Sequence, residues 1–92
     1  MSRFAIYAGV DSAWYQGEDE FNSPEEALSA ARAIAVELYE ELAGSNGYLS
    51  WENCLEKLTE TYPDEIIGGT DVYNYYNRVM SEHIKYTIKQ LS

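Results

Sequence analysis

The alternation of apolar and polar residues near the start of the chain predicts a β-hairpin. Phe4, Ile6 and Ala8 occupy every second position of residues 3–8, which puts them on one face of a short strand. Residues 13–21 are rich in aromatic side chains and predict a second strand. The two strands are expected to pair as an antiparallel hairpin.

From residue 23 the apolar spacing becomes helical. Ser23, Pro24 and Glu26 have the pattern of an N-cap, a first-turn proline and a capping-box glutamate, so a helix is predicted over residues 24–43 and stopped by Gly44. The side chains expected to face the core repeat every three or four positions. They are Leu28, Ala31, Ala35, Leu38 and Leu42, with Ile34 at the margin.

Two further helices are predicted in the second half of the chain. Ser50 is expected to cap a helix that ends near Tyr62, and a third helix begins at Thr70 or Asp71 and runs to about Leu91. The predicted inner side of the third helix consists of Val72, Tyr76, Val79, Met80, His83 and Thr87, extended by Ile84 and Leu91.

Length and composition favour one small folded domain. The chain has 92 residues, of which 46% are hydrophobic and 14% aromatic, so one core is expected over residues 1–92. The predicted fold class is α+β: an N-terminal two-stranded antiparallel hairpin followed by three α-helices, with the hairpin packed against the first and third. No apolar run approaches the roughly 20 residues that a membrane span needs, and no signal pattern is seen. The single cysteine suits a reducing compartment, so a cytoplasmic location is expected.

The net charge of −10 comes from one part of the sequence. Residues 11–65 hold fourteen acidic residues against Arg32 and Lys57, a balance of −12, whereas residues 1–10 and residues 66–92 are each +1. Such a chain repels nucleic acid and anionic membranes and favours a basic partner.

The sequence offers little support for catalysis or metal binding. Cys54 and His83 are the only residues of their types, so zinc would find at most two of its usual nitrogen or sulfur ligands. Both lie on faces predicted to pack inward. The Glu18–Glu20 acid run lacks the twelve-residue calcium loop pattern. We therefore expect no enzymatic activity, no cofactor and no metal, and we interpret most carboxylates as a solvated acidic face.

Tyrosine is also unusually frequent: the chain has nine tyrosines, in addition to two tryptophans. Four tyrosines of the predicted third helix cannot all point inward, so Tyr75 or Tyr86 is expected on a contact surface. Aromatic rings beside carboxylates suit an arginine-rich protein surface. The interpretation that several tyrosines only border a small core stays open.

Four sequence features resemble one group of proteins: the Ser-Pro-Glu-Glu helix start, the glutamate-lined segment at residues 37–41, the Gly-Ser-Asn-Gly break and the following Ser-Trp-Glu-Asn. Together they resemble small acidic proteins of bacteriophages and mobile elements, among them anti-restriction and anti-CRISPR inhibitors, several of which mimic DNA. The resemblance implies that helix-borne carboxylates imitate a phosphate track and occupy the basic groove of a nuclease or CRISPR surveillance complex.

The predicted function is therefore a non-enzymatic acidic inhibitor that binds a basic nucleic-acid-handling protein and does not itself bind nucleic acid. The alternative is a structural or adaptor protein that forms a homodimer through its tyrosine-rich C-terminal helix, and a small-molecule-binding protein is a third class. The predicted partner-binding residues are Glu18, Asp19, Glu20, Glu26, Glu37, Glu40, Glu41, Glu52, Glu56, Glu60, Tyr75 and Tyr86.

Overall fold

The computed structural model describes residues 2–45 and 47–91, so Asn46 of the predicted Gly-Ser-Asn-Gly break lies outside the described residues. Within them the chain forms three strands and three helices, in a molecule measuring 57 × 24 × 15 Å. In chain order these are β1 (Phe4–Val10), β2 (Ala13–Phe21), α1 (Pro24–Leu42), α2 (Trp51–Thr61), α3 (Gly69–Ser81) and β3 (Ile84–Gln90).

The strands form one antiparallel sheet with the order β2-β1-β3. The prediction of a two-stranded hairpin followed by three helices is wrong, because it omits a third strand. The predicted third helix ends at Ser81, and the chain then returns as β3 along the free edge of β1. The pairing joins Val10 to Ile84 at one end and Phe4 to Gln90 at the other. The sheet is thus built from both the N-terminal and the C-terminal segments.

A period-two pattern in the last segment accounts for β3. Ile84, Tyr86 and Ile88 alternate with polar residues over 84–90, which is the spacing of a strand. The same segment also fits a helical spacing through His83 and Thr87, and neither glycine nor proline separates it from α3. Pairing with β1 selects the strand, because it satisfies the backbone groups of β1 on both sides.

The buried side of α1 is displaced from the predicted stripe. Its buried residues follow a strict spacing of four, at Ala27, Ala31, Ala35 and Tyr39, whereas Leu28 is 41% exposed. Ala27, Ala31 and Ala35 follow one another at intervals of about one turn, and their short side chains let the backbone of α1 approach the sheet closely. The remaining predicted positions, Ile34, Leu38 and Leu42, are half-buried along the margins of this contact.

Two core clusters lie along α1. Near its start, Ile6 of β1 packs against alanines of the helix, and near its end Val10, Tyr39 and Met80 form the second cluster. The hydroxyl of Tyr39 donates a hydrogen bond of 2.7 Å to the carbonyl of Leu49, and burial raises the pKa of this phenol to about 12. Tyr39 therefore ties the end of α1 to the loop before α2.

The N-cap residues of α1 and α2 are those that the sequence indicates. Ser23 accepts the Glu26 N–H at 3.4 Å, and Ser50 and Asn53 form a reciprocal capping box at the start of α2. These caps confirm the predicted starts of α1 and α2. Cys54, predicted as a small core residue, is fully buried one turn into α2.

The helices α2 and α3 pack mainly on each other, and α1 packs across all three strands. In the described part of the chain, no helix packs across the second face of the sheet. This arrangement makes the molecule long and thin. It also leaves a cleft where the end of α1 meets the α2–α3 pair.

Asp11 links three turns of the fold. It occupies the β1–β2 turn with a φ of 54°, a left-handed conformation that aspartate tolerates better than most residues. Its N–H donates to the His83 carbonyl at 2.8 Å, its carboxylate accepts from the Tyr48 hydroxyl, and its Oδ1 lies 3.0 Å from His83 Nδ1. The loop after α1 and the turn before β3 are thereby held at the same point.

This arrangement predicts acid-dependent stability. The hydrogen bond from Tyr48, followed by that from His83, lowers the pKa of Asp11 below its ordinary value. A carboxyl whose pKa is lower in the folded state stabilises the fold above its unfolded pKa of about 3.9, and this contribution is lost as the pH falls through the folded pKa. We expect the free energy of unfolding to fall more between about pH 5 and pH 2 in the wild type than in Asp11→Asn. Urea denaturation at several pH values measures this, and coincident profiles would contradict it.

Candidate functional site

The structure separates the predicted acidic residues into two groups, one at each end of α1. Glu26 lies in the first turn of the helix and Glu40 in its last, which is a rise of about 21 Å along the axis. Glu18, Asp19 and Glu20 belong to the first group, because the end of β2 lies beside the start of α1. A single continuous row of carboxylates is therefore not formed.

The first group is shaped by an irregularity in β2. The β1–β2 register slips between Ala5 and Tyr7, and the slip leaves Glu18 and Asp19 in the unpaired stretch. The backbone at residue 17 approaches Ile6 so closely here that only glycine fits, because a Cβ on Gly17 would lie 2.4 Å from Cγ1 of Ile6. Both acids are exposed.

One member of this group is already neutralised. Glu20 forms an ion pair of 3.0 Å with Arg3, and both side chains are solvent-exposed. An exposed pair of this kind adds little stability, but it removes Glu20 from the free negative charge of the molecule.

The second group lies where α1 ends. Glu37, Glu40 and Glu41 are all exposed, but Glu40 and Glu41 border different depressions. Glu40 faces the cleft between α1, α2 and α3, whereas Glu41 borders a depression beside Val10 and Tyr15 on the β2 side.

Glu52 completes the second group. The Ser50 cap fixes the start of α2, so that Glu52 occupies its first turn, next to Trp51. Burial raises the pKa of the Tyr76 phenol, and the nearby carboxylates of Glu40 and Glu52 raise it further. Glu56 and Glu60 continue along α2 on its exposed surface.

The cleft at this junction has a volume of about 340 Å³. Its aromatic residues are Trp51 of α2 and Tyr73 and Tyr76 of α3, while α1 contributes Arg32 and Glu40. Trp51 and Tyr76 meet edge to face with their ring centroids 5.9 Å apart. We call this site the junction cleft.

The two tyrosines predicted at a contact surface do not share a helix. Tyr75 lies on α3 beside a separate cleft of about 430 Å³, and Arg78 lies 5.3 Å above its ring. Tyr86 is a residue of β3, 38% exposed. The prediction that one long C-terminal helix presents a tyrosine-rich surface is therefore wrong, because that helix ends at Ser81.

Sequence reasoning missed a basic face on the sheet. The pairing of β1 with β3 brings the two positively charged ends of the chain together, with Lys85 opposite Gly9 and Lys89 opposite Ala5 on the face away from α1. Lys85 Nζ lies 4.9 Å from the centroid of the Trp14 ring. The alternation within residues 84–90 was the signal that could have revealed this face.

The described residues contain no arrangement typical of a metal or nucleophile site. No group of three or more His, Cys, Asp or Glu side chains among them could hold a metal ion. Burial raises the pKa of the Cys54 thiol, and His83 stacks on Tyr39 beside Asp11 instead of activating the thiol. Within the same residues, no helix is long and apolar enough to cross a membrane.

The chain matches no protein-family model, no curated protein and no solved structure.

Proposed function

We propose that this chain is a non-enzymatic acidic protein that binds a basic, nucleic-acid-handling protein through the carboxylates at the end of α1 and on α2. The observation that carries the proposal is the lack of internal neutralisation. Of the ten carboxylates predicted to bind a partner, Glu20 is the one that forms an ion pair within residues 2–45 and 47–91.

The position of the acids supports binding more than folding. Glu52, Glu56 and Glu60 follow one another at spacings of four on α2, and each neighbouring pair of like charges costs a helix about 0.2–0.5 kcal/mol. Pairing with the lysines and arginines of a basic partner would offset this repulsion.

The second group of acids is the better candidate for the binding surface. It draws on two helices, it borders a cleft, and none of its members is paired within the described chain. In the first group Arg3 neutralises Glu20. The basic side chains Lys85 and Lys89 lie on the sheet face away from α1, so they do not neutralise this group.

The resemblance to anti-restriction and anti-CRISPR inhibitors supports the class of partner. We therefore propose a defence nuclease or a CRISPR surveillance complex as the target, in the cytoplasm of the host cell. In this scheme ordered carboxylates pair with the lysines and arginines that otherwise contact phosphates.

The alternative of self-association through a tyrosine-rich C-terminal helix has a weaker basis. Tyr75 and Tyr86 lie on different elements, and the ring of Tyr75 already carries Arg78. A homodimer would need another surface.

Binding through exposed carboxylates predicts a strong dependence on salt. Exposed charges are screened over about 8–10 Å at physiological ionic strength, so affinity for a captured nuclease should fall at least about tenfold between 50 and 200 mM salt. Titration calorimetry at several salt concentrations measures the slope. An affinity that stays constant with salt would contradict the proposed function.

A further inference from the structure

We propose that the sheet face away from α1 is covered by α2 of a second copy of this chain, in a two-fold symmetric dimer. This face, which we call the open face, carries Tyr7, Trp14, Lys85 and Lys89. The proposal goes beyond the proposed function, because it gives the acids of α2 a second occupant of known sequence.

One copy of the chain is more extended than a domain of its length needs to be. Its radius of gyration is 16.1 Å, whereas a compact domain of 92 residues has a radius of about 12 Å. The nine residues of β2 and the nineteen of α1 each span about 30 Å. The α2–α3 pair supplies the rest of the 57 Å length and therefore forms an arm beyond the sheet.

Most of α2 is left uncovered within one copy. Of its eleven residues, all of them described, Cys54 is the one that is buried. Trp51 and Leu55 are each 40% exposed, and Tyr62 at the end of the helix is 48% exposed. These three side chains are separated by four and seven positions, which places them on one side of the helix. An apolar stripe of this kind ordinarily packs on another element.

The open face of the sheet is the matching uncovered surface. Among the described residues no helix packs across it, and Trp14 there is 48% exposed. Arg3 is paired with Glu20, but neither Lys85 nor Lys89 forms an ion pair with a described carboxylate. The two lysines therefore give the open face a positive charge that this copy leaves unpaired.

The charges on the two surfaces are complementary in sign and in spacing. Lys85 and Lys89 lie four residues apart on β3, a distance of about 13 Å. Glu52 and Glu60 lie eight residues apart on α2, a distance of about 12 Å. An α2 helix lying along β3 of the second copy brings one acid to each lysine. Leu55, three positions after Glu52, then faces the sheet beside the acids.

The same lysines disfavour another way of joining two copies. A symmetric antiparallel pairing of two β3 edges centred on Thr87 would put Lys85 of each copy opposite Lys89 of the other. Like charges directly opposite each other destabilise a sheet, and lysines on an edge strand oppose such pairing. Contact between α2 and the open face puts opposite charges together instead.

A two-fold axis makes both contacts equivalent. Two copies aligned in opposite directions place each arm on the open face of the other, so the same pair of surfaces is used twice. The net charge of −10 on each copy opposes association at long range. Salt at about 150 mM screens this repulsion beyond about 8 Å, while the close lysine–glutamate pairs persist.

The test is sedimentation velocity of the protein alone at about 150 mM salt. We expect a dimer with a Kd on the order of 10 μM. Lys85→Glu with Lys89→Glu, and separately Glu52→Lys with Glu60→Lys, should each weaken the dimer at least about tenfold, because like charges then meet in both contacts. An equimolar mixture of the two variants should dimerise within about threefold of the wild type, because both contacts again join opposite charges.

A matched control separates local pairing from net charge. Glu37→Lys with Glu41→Lys changes the net charge as much as the α2 variant does, but these residues lie on α1. This control should dimerise at least as tightly as the wild type. Circular dichroism and thermal melts check that each variant folds.

Three results would overturn the inference: a wild type that stays monomeric at about 200 μM, variants that dimerise as well alone as the wild type does, or a mixture that stays monomeric. Oligomeric state is measured without any partner. The dimer can therefore fail while the proposed function stands, and the reverse.

Discussion

Reversing the charge of Glu37, Glu40 and Glu41 to lysine is expected to abolish partner binding while the fold persists. All three side chains are exposed, and none belongs to the buried stripe of α1. Their mutual repulsion in the wild type slightly destabilises the helix. A basic groove would instead meet three positive charges, and like charges across an interface cost several kcal/mol, so affinity should fall at least about 100-fold.

The matched control makes the same change of charge at the other end of α1. Glu18→Lys, Asp19→Lys and Glu26→Lys also shift the net charge by six units, but they belong to the first group, and Glu26 lies about 21 Å along the helix axis from Glu40. We expect this variant to lose less than about tenfold in affinity, through the long-range field alone. Calorimetry with the captured partner measures both variants. Equal losses would mean that only net charge matters, and an unaffected first variant would remove α1 from the binding surface.

Replacing Gly9 by alanine is expected to unfold much of the population. Gly9 lies in the central strand, where a Cβ would be 1.8 Å from the carbonyl oxygen of Ala13 and 3.2 Å from Cα of Trp14. These are backbone atoms of β2, so rotation of a side chain cannot relieve the clash. We expect a loss of about 3 kcal/mol or more, a large part of the stability of a small domain.

The control for this substitution is Gly69→Ala at the start of α3, where no heavy atom lies within 4 Å of the added Cβ. Removing glycine at an unstrained helical position should be neutral or stabilise by up to about 1 kcal/mol. Urea denaturation midpoints compare the two variants. A Gly9→Ala protein as stable as the wild type would show that β1 and β2 are not packed as described.

Local signals in the sequence predicted most of the elements. The caps at Ser23 and Ser50 fixed two helix starts, and the alternation around Ile6 predicted β1. These features depend on neighbouring residues, which a sequence displays directly. The third strand depends on pairing between residues about 80 positions apart, such as Phe4 and Gln90, and no local pattern reports that contact.

The candidate site was harder to predict for the same reason. Helical spacing correctly put Glu40 and Glu52 on exposed positions, but it could not show that residues of α1, α2 and α3, such as Glu40, Trp51 and Tyr76, meet around one cleft. Likewise the stripe of α1 was displaced because close packing on the sheet favours Ala27 over Leu28. Side-chain size at a contact, and not hydrophobicity alone, decided which face was buried.

Competition with duplex DNA for the captured nuclease tests the central claim most directly, namely that the carboxylates occupy a basic nucleic-acid-binding groove. The nuclease is bound to labelled duplex, and this protein is added at increasing concentration while the anisotropy of the label is followed. We expect full displacement of the DNA, at protein concentrations that rise about 100-fold for the Glu37→Lys, Glu40→Lys, Glu41→Lys variant. A stable ternary complex of nuclease, DNA and this protein would contradict it.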